Sequence, residues 1–372
     1  MRRAARSTLV VLLLLVVLAV LLYRTRHAIR LEGFDWERLK ESVRQASFPL
    51  LLLATALIFV SYGLRSARWV RFCRHLGGAS FRGVYSCTLV GFTAIFLLGR
   101  AGEPVRPLLI ARKERLGVAS MFGIYVLERV FDMGCTVVLA GLGLFFLPRK
   151  LAGGREGTAL LTTVRATGVL LLVVLLAAIA FLVYFRFRGA PRFEHGVARW
   201  RHASGWRARV AGLSAGFGDG LQAIRSPADL VAATGISLVH WSVIVLIYYA
   251  VAQAFGGGLA RLDLLATALV LAFTMVGSTL QLPAVGGGSQ LATFLAFTVI
   301  FGVEKEPAAA AAIVIWLITF AACSLAGIPL LVREGWSMAE LRRLALAERQ
   351  AEAAGGHIEL AGSPPRTGEA PR

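Results

Sequence analysis

Gly99-Arg100-Ala101-Gly102-Glu103-Pro104-Val105-Arg106 places two arginines and a glutamate among glycines and a proline, between two long apolar runs. Further on, Glu128-Arg129-Val130-Phe131-Asp132 sets three more ionisable groups inside the apolar segment from Val118 to Leu147. A charge held at the depth of lipid tails costs at least a few kcal/mol, and such charges face a bundle interior or an aqueous cavity. The two stretches therefore predict an all-α, polytopic membrane bundle with a polar site inside it.

Apolar segments recur on either side: Ser7–Tyr23, Phe48–Leu64, Val84–Leu98, Val118–Leu147, Leu160–Phe185, Leu230–Phe255, Leu262–Leu282, Leu291–Phe301 and Pro307–Val332. About 20 helical residues cross the hydrocarbon core, and most of these segments suffice. Val84–Leu98 and Leu291–Phe301 are short, and each adjoins a Gly/Pro break. Composition agrees with a membrane protein. Hydrophobic residues make up 57% and charged residues 16% of the 372, richer in the former and poorer in the latter than a soluble domain.

The net charge of +19 is nearly all arginine and lies between the apolar runs. That placement fits anionic phospholipid headgroups. It does not point to nucleic acid, since no readout chemistry accompanies it. Cys73, Cys87, Cys135 and Cys323 show no metal-binding spacing, so neither a metal site, nor a cofactor, nor a disulfide framework is expected.

Residues 1–47 read as a retained signal-anchor helix and an extramembrane loop: Arg2, Arg3 and Arg6 precede a long apolar core, and no small-residue cleavage site follows. Residues 48–344 form the transmembrane domain, including a basic loop over 186–227, and 345–372 a disordered tail. Within the loop, Arg192–His202 mixes aromatic and basic residues, as a helix lying on the membrane surface does or as a solvated loop can.

The Lys/Arg distribution orients the chain. Arg65, Arg68, Arg71, Arg74 and Arg82 after the second span, the eight arginines between Arg186 and Pro227, and Arg333, Arg342, Arg343 and Arg349 mark the cytoplasmic side. Both termini then lie inside, and the inner (plasma) membrane is the expected location. Arg24–Ser47, with six Lys/Arg, departs from the pattern.

A weak internal repeat accompanies this topology. The break at Gly99–Glu103 precedes the long helix opening at Val118. The break at Pro283–Gln290 precedes the alanine-rich helix after Phe301-Gly302-Val303. Each half would be a broken hairpin followed by a crossing helix, with the halves pointing in opposite directions, the inverted-repeat arrangement of transporters. Ordinary surface loops are the alternative for both breaks.

These motifs resemble the flippase-like, lysylphosphatidylglycerol-synthase transmembrane-region family. The resemblance rests on Arg100 through Arg106, Ser120, Glu128 through Asp132, Leu282 through Gln290, Phe301-Gly302-Val303, Leu325-Ala326-Gly327 and Glu334 through Leu341, and it covers roughly Leu50 to Leu344. It implies a multi-span domain that moves a lipid-linked or aminoacylated lipid across the bilayer. Many members carry an acid where Gln290 stands and an arginine or histidine near Trp316, so the second half of the site is less charged here. No aminoacyl-transfer domain is expected after Val332.

The expected substrate-binding residues are Arg100, Glu103, Arg106, Glu128, Arg129, Asp132 and Gln290. Arginine's planar fork suits a headgroup phosphate. Arg129, between two acids at helical spacing, equally suits structural pairing. His240 and Trp241 sit within a span, and a lone histidine there is more often a bond between helices than a ligand. The expected function is binding and translocation of a phospholipid or lipid-linked headgroup, with no catalysis by the chain itself. Two alternatives remain: a membrane-embedded lipid-modifying transferase, and an accessory subunit whose partner is a separate lipid-modifying enzyme. A DxD pair and HExxH are missing, which weighs against the transferase.

Overall fold

The computed structural model describes residues 34–146, 218–278, 281–282 and 286–333, with isolated positions at 169, 172–173, 176–177 and 215–216. The first apolar segment, most of Leu160–Phe185, the Arg192–His202 stretch and the tail lie outside the described residues.

Helix α1 (Trp36–Gln45) starts where Asp35 accepts hydrogen bonds from the Glu37 and Arg38 amides. Pro49 opens α2 (Phe48–Cys73) from inside its first turn, where its missing N–H costs nothing. Ser80 caps α3 (Phe81–Leu98), which ends at Gly99. With φ +63° and ψ −143°, that residue has a backbone only glycine adopts without strain. A 3-10 turn (Gly99–Gly102) leads into the short α4 (Val105–Lys113), and α5 (Val118–Phe146) follows.

The second half begins with α6 (Pro227–Phe255), capped by Ser226. Then come α7 (Leu264–Gly277), a ribbon pairing Gln281 with Gly287 and Leu282 with Gly286, and α8 (Gly288–Leu295), which runs on as a π-turn to Ile300. Helices α9 (Lys305–Trp316) and α10 (Ala322–Arg333) form one rod interrupted by a second π-turn.

Among the described residues four helices are long and apolar enough to cross a bilayer, over 48–76, 81–102, 227–255 and 305–333. Their outward faces carry large apolar side chains such as Leu52, Val60, Val231, Val239 and Leu325, which belong in lipid rather than water. The protein is an all-α, multi-pass membrane bundle.

Packing pairs the two halves reciprocally. Helix α2 lies antiparallel along α6: the Ser47 amide donates to the Ala254 carbonyl at 2.8 Å, and at the other end Asp229 meets Arg71 and His75. Helix α3 lies along α10, with Thr93 against Cys323, and its Phe96 meets Trp316 at the end of α9, while α7 lies along α5. Each first hairpin limb thus packs on the last helix of the other half. A Cβ on Gly327 would stand 2.0 Å from Thr93 Oγ1, so glycine sets the α3–α10 separation.

Each hairpin starts and finishes at one end of the bundle. In the first, the Ser80 amide and hydroxyl donate to Glu114, and Lys113 Nζ reaches Ser86, beside the end where Arg71 meets Asp229. In the second, a Cβ on Gly258 would stand 3.8 Å from Val303 near the opposite end, where Ser47 meets Ala254. The two breaks meet in between: Arg100 Nη2 donates to the Ser278 carbonyl at 2.8 Å. All four cysteines are buried, so Arg82→Cys and Arg261→Cys, both at exposed positions, would be read against a low background. An impermeant maleimide is expected to label them from opposite sides of the membrane. Labelling of both from one side would contradict the assignment of the two ends.

Candidate functional site

Ser61, Arg65, Arg68 and Phe72 follow each other at helical spacing and form the inward face of α2, all buried. That face meets α5 at Glu128 and Asp132, which are one turn apart and 0% and 3% exposed. Glu128 Oε1 accepts from Arg65 Nη1 at 2.7 Å and Arg68 Nη2 at 3.0 Å. Its Oε2 accepts from Arg106 Nη2 and lies 3.4 Å from Arg129 Nη2. Asp132 accepts from Arg65 at 3.0 Å, from Arg68 at 2.9 Å and from Arg129 at 2.8 Å. Four guanidiniums surround two carboxylates.

Neighbouring side chains fix the arginines from behind. Arg68 Nη1 donates to Ser237 Oγ at 2.7 Å. Arg65 Nη2 lies 3.1 Å from His240 Nε2, and His240 Nδ1 lies 3.2 Å from the Ser61 carbonyl. One neutral tautomer, with its hydrogen on Nδ1, satisfies both contacts. Arg106 stacks over Trp69 at 4.8 Å and near Phe92 and Tyr125, contacts worth more in a dry interior than at a surface. Gly91 makes room for it: a Cβ there would stand 2.5 Å from Arg106 Cβ.

The depth follows from helix rise. At 1.5 Å per residue, Arg65 lies about 12 Å from the end of α2 and Glu128 about 15 Å from the start of α5. Both positions lie inside helices that are long compared with a hydrocarbon core about 30 Å thick.

Of the residues expected from sequence, Arg106, Glu128, Arg129 and Asp132 come together here. Arg106 is almost fully buried, whereas the Arg129 side chain is 38% exposed and is the open edge of the cluster. Arg100 and Glu103 pair with each other beside it. Tyr125 links that pair to the cluster, donating to Glu103 while its ring stacks under Arg129. Gln290 stands apart on the second hairpin, where its side-chain carbonyl accepts from the Gly287 amide at 2.7 Å and caps α8.

Three members were missed by sequence reasoning. Arg65 and Arg68 read as cytoplasmic loop charges, because the apolar run ends at Leu64. The helix continues to Cys73 instead and turns both inward. Their i, i+3 spacing, in line with Ser61, was the available signal. His240 bridges helices as expected for a membrane histidine, but what it holds is a member of the charge cluster.

The model of the lysylphosphatidylglycerol synthase transmembrane region matches residues 8–327. The chain belongs to that family. The match takes in the first apolar segment, both hairpins and every residue of the cluster, and it ends at Gly327 within α10. No curated protein and no solved structure matches the chain. A lipid-related role in a multi-pass membrane protein therefore rests on the family, and the chemistry of the site on this chain's own residues.

Proposed function

We propose that this family member binds a lipid headgroup at the arginine cluster and moves it across the bilayer, acting in the inner (plasma) membrane. The observation that carries the reading is the cluster itself: four arginines and two acids buried between membrane-spanning helices, beside the point where two broken hairpins meet. Interrupted helices with both ends on one side serve transporters as midplane binding sites, so the paired breaks are read as re-entrant tips and the two halves as inverted repeats. Arg129, half-open to its surroundings, and Arg100 at the tip are the groups placed to receive a headgroup first.

The cluster supports binding rather than bond-making. A general base needs a free lone pair within reach of the reacting proton. Glu128 and Asp132 are enclosed by guanidinium donors, and Glu103 is shared between Arg100 and Tyr125. A separate lipid-modifying enzyme would then supply the headgroup chemistry as a partner.

The test is transport by purified protein in liposomes carrying a tail-labelled phospholipid, read by chemical quenching from outside. Arg129→Gln removes the exposed charge and leaves the buried pairs standing. It is expected to lower the translocation rate about tenfold or more while the thermal unfolding profile stays near that of the parent, because an accessible charge-assisted bond is roughly this strong. Full retained translocation would remove Arg129 from the path, and no translocation by the parent protein would defeat the transport reading.

A further inference from the structure

The charges of the cluster do not cancel. Arg65, Arg68, Arg106 and Arg129 face Glu128 and Asp132 alone, and the adjoining Arg100–Glu103 pair is neutral. His240 accepts from Arg65 through Nε2 and adds no charge. Two positive charges are left over, in a site open only along the Arg129 edge, where charges are screened less than in bulk water.

Hydrogen bonding shows the same imbalance independently. Arg68 Nε, Trp69 Nε1 and Arg129 Nε are buried with no acceptor. Arg68 and Trp69 are 1% and 0% exposed, and Trp69 is the ring beneath Arg106. Every unpartnered polar atom on the charged side chains of the cluster and that ring is a donor, and each carboxylate oxygen of Glu128 and Asp132 already accepts from at least one guanidinium. Buried donors without acceptors call for a specific explanation, and an anion supplies the charge and the lone pairs together.

Resting on the reading of the cluster as a headgroup site, we infer that its ligand is a phosphomonoester or diphosphate headgroup. Such a group carries about two negative charges near neutral pH and so matches the excess. A phosphodiester lipid carries one and leaves the site half-compensated. Lysylphosphatidylglycerol, with two ammonium groups against one phosphodiester, is net positive and is repelled. Within a family described by that lipid, this chain is specialised for the opposite charge.

The test is binding by purified, lipid-exchanged protein, using phosphatidic acid, phosphatidylglycerol and lysylphosphatidylglycerol of identical acyl chains, with inorganic phosphate as a fourth competitor. Phosphatidic acid is expected to bind at least about tenfold tighter than phosphatidylglycerol, with lysylphosphatidylglycerol weakest, since one more charge pair at contact in a partly buried site exceeds the energy of a tenfold change. Arg129→Gln should narrow the gap between the first two, and Arg129→Lys, which keeps the charge, should preserve their order.

Equal binding of the three lipids, or preference for lysylphosphatidylglycerol, would overturn the inference even if lipids are translocated. Tight phosphatidic acid binding without translocation would uphold it and defeat the transport reading. Displacement of phosphatidic acid by inorganic phosphate at matched concentration would assign the site to a soluble anion and overturn the lipid assignment. Displacement by lipid phosphomonoesters alone supports it.

Discussion

Exchanging Glu128 for glutamine is expected to destabilise the folded protein by roughly 3–5 kcal/mol, the cost of breaking a buried ion pair from one side. The shape of the side chain is kept and the charge is not. Arg65, Arg68, Arg106 and Arg129 would then surround a neutral amide with only Asp132 to balance them. The amide also presents two donors to neighbours that can only donate. Thermal unfolding in detergent should show a large drop in Tm and a poor yield of monodisperse protein. Arg106→Gln in the same chain removes the guanidinium that holds Glu128 Oε2, and the double variant should recover part of the loss. Unchanged Tm in Glu128→Gln alone would mean that the cluster is open to water and not a buried network.

Gly102→Ala is expected to be a damaging change outside the charges. Its Cβ would stand 2.3 Å from the Ala94 carbonyl oxygen and 2.6 Å from the Ile95 amide nitrogen. Both are backbone atoms of α3, which cannot swing aside as a side chain end can. The tip would have to move, and with it the Arg100 contact to Ser278 and the start of α4, which carries Arg106. Overpacking of this kind costs about 1–3 kcal/mol, and translocation should fall further than stability does. Gly141→Ala on α5 is the control: nothing lies within 4 Å of its Cβ, and alanine improves the helix by up to about 1 kcal/mol. Equal translocation by the two variants would contradict close packing at the tip.

The gap between what sequence reasoning found and what it missed has a physical pattern. Glu128, Arg129 and Asp132 stood out because charge inside an apolar run is costly unless function or pairing keeps it. Gly99–Arg106 stood out because a run combining several glycines with a proline breaks a helix. Arg65 and Arg68 did not stand out, because arginines just past an apolar run are also what the cytoplasmic end of a span looks like. Local sequence does not distinguish a helix that stops at Leu64 from one that continues inward to Cys73. Gln290 was assigned to the site from the family resemblance, and its carbonyl is used by the Gly287 amide.

The length and order of the apolar segments, the two breaks and the i, i+4 acids are properties of local chain chemistry, and these determined a polytopic helical bundle with charge inside it. Which charges share that interior was decided by the packing of α2 between α5 and α6. Only there do Arg68 and Ser237, or Arg65 and His240, come within hydrogen-bond reach across more than 160 positions of sequence. The excess of positive charge belongs to the same level: it exists only once side chains from α2, α4 and α5 are held together against two carboxylates, because burial, not composition, makes an unpaired guanidinium expensive.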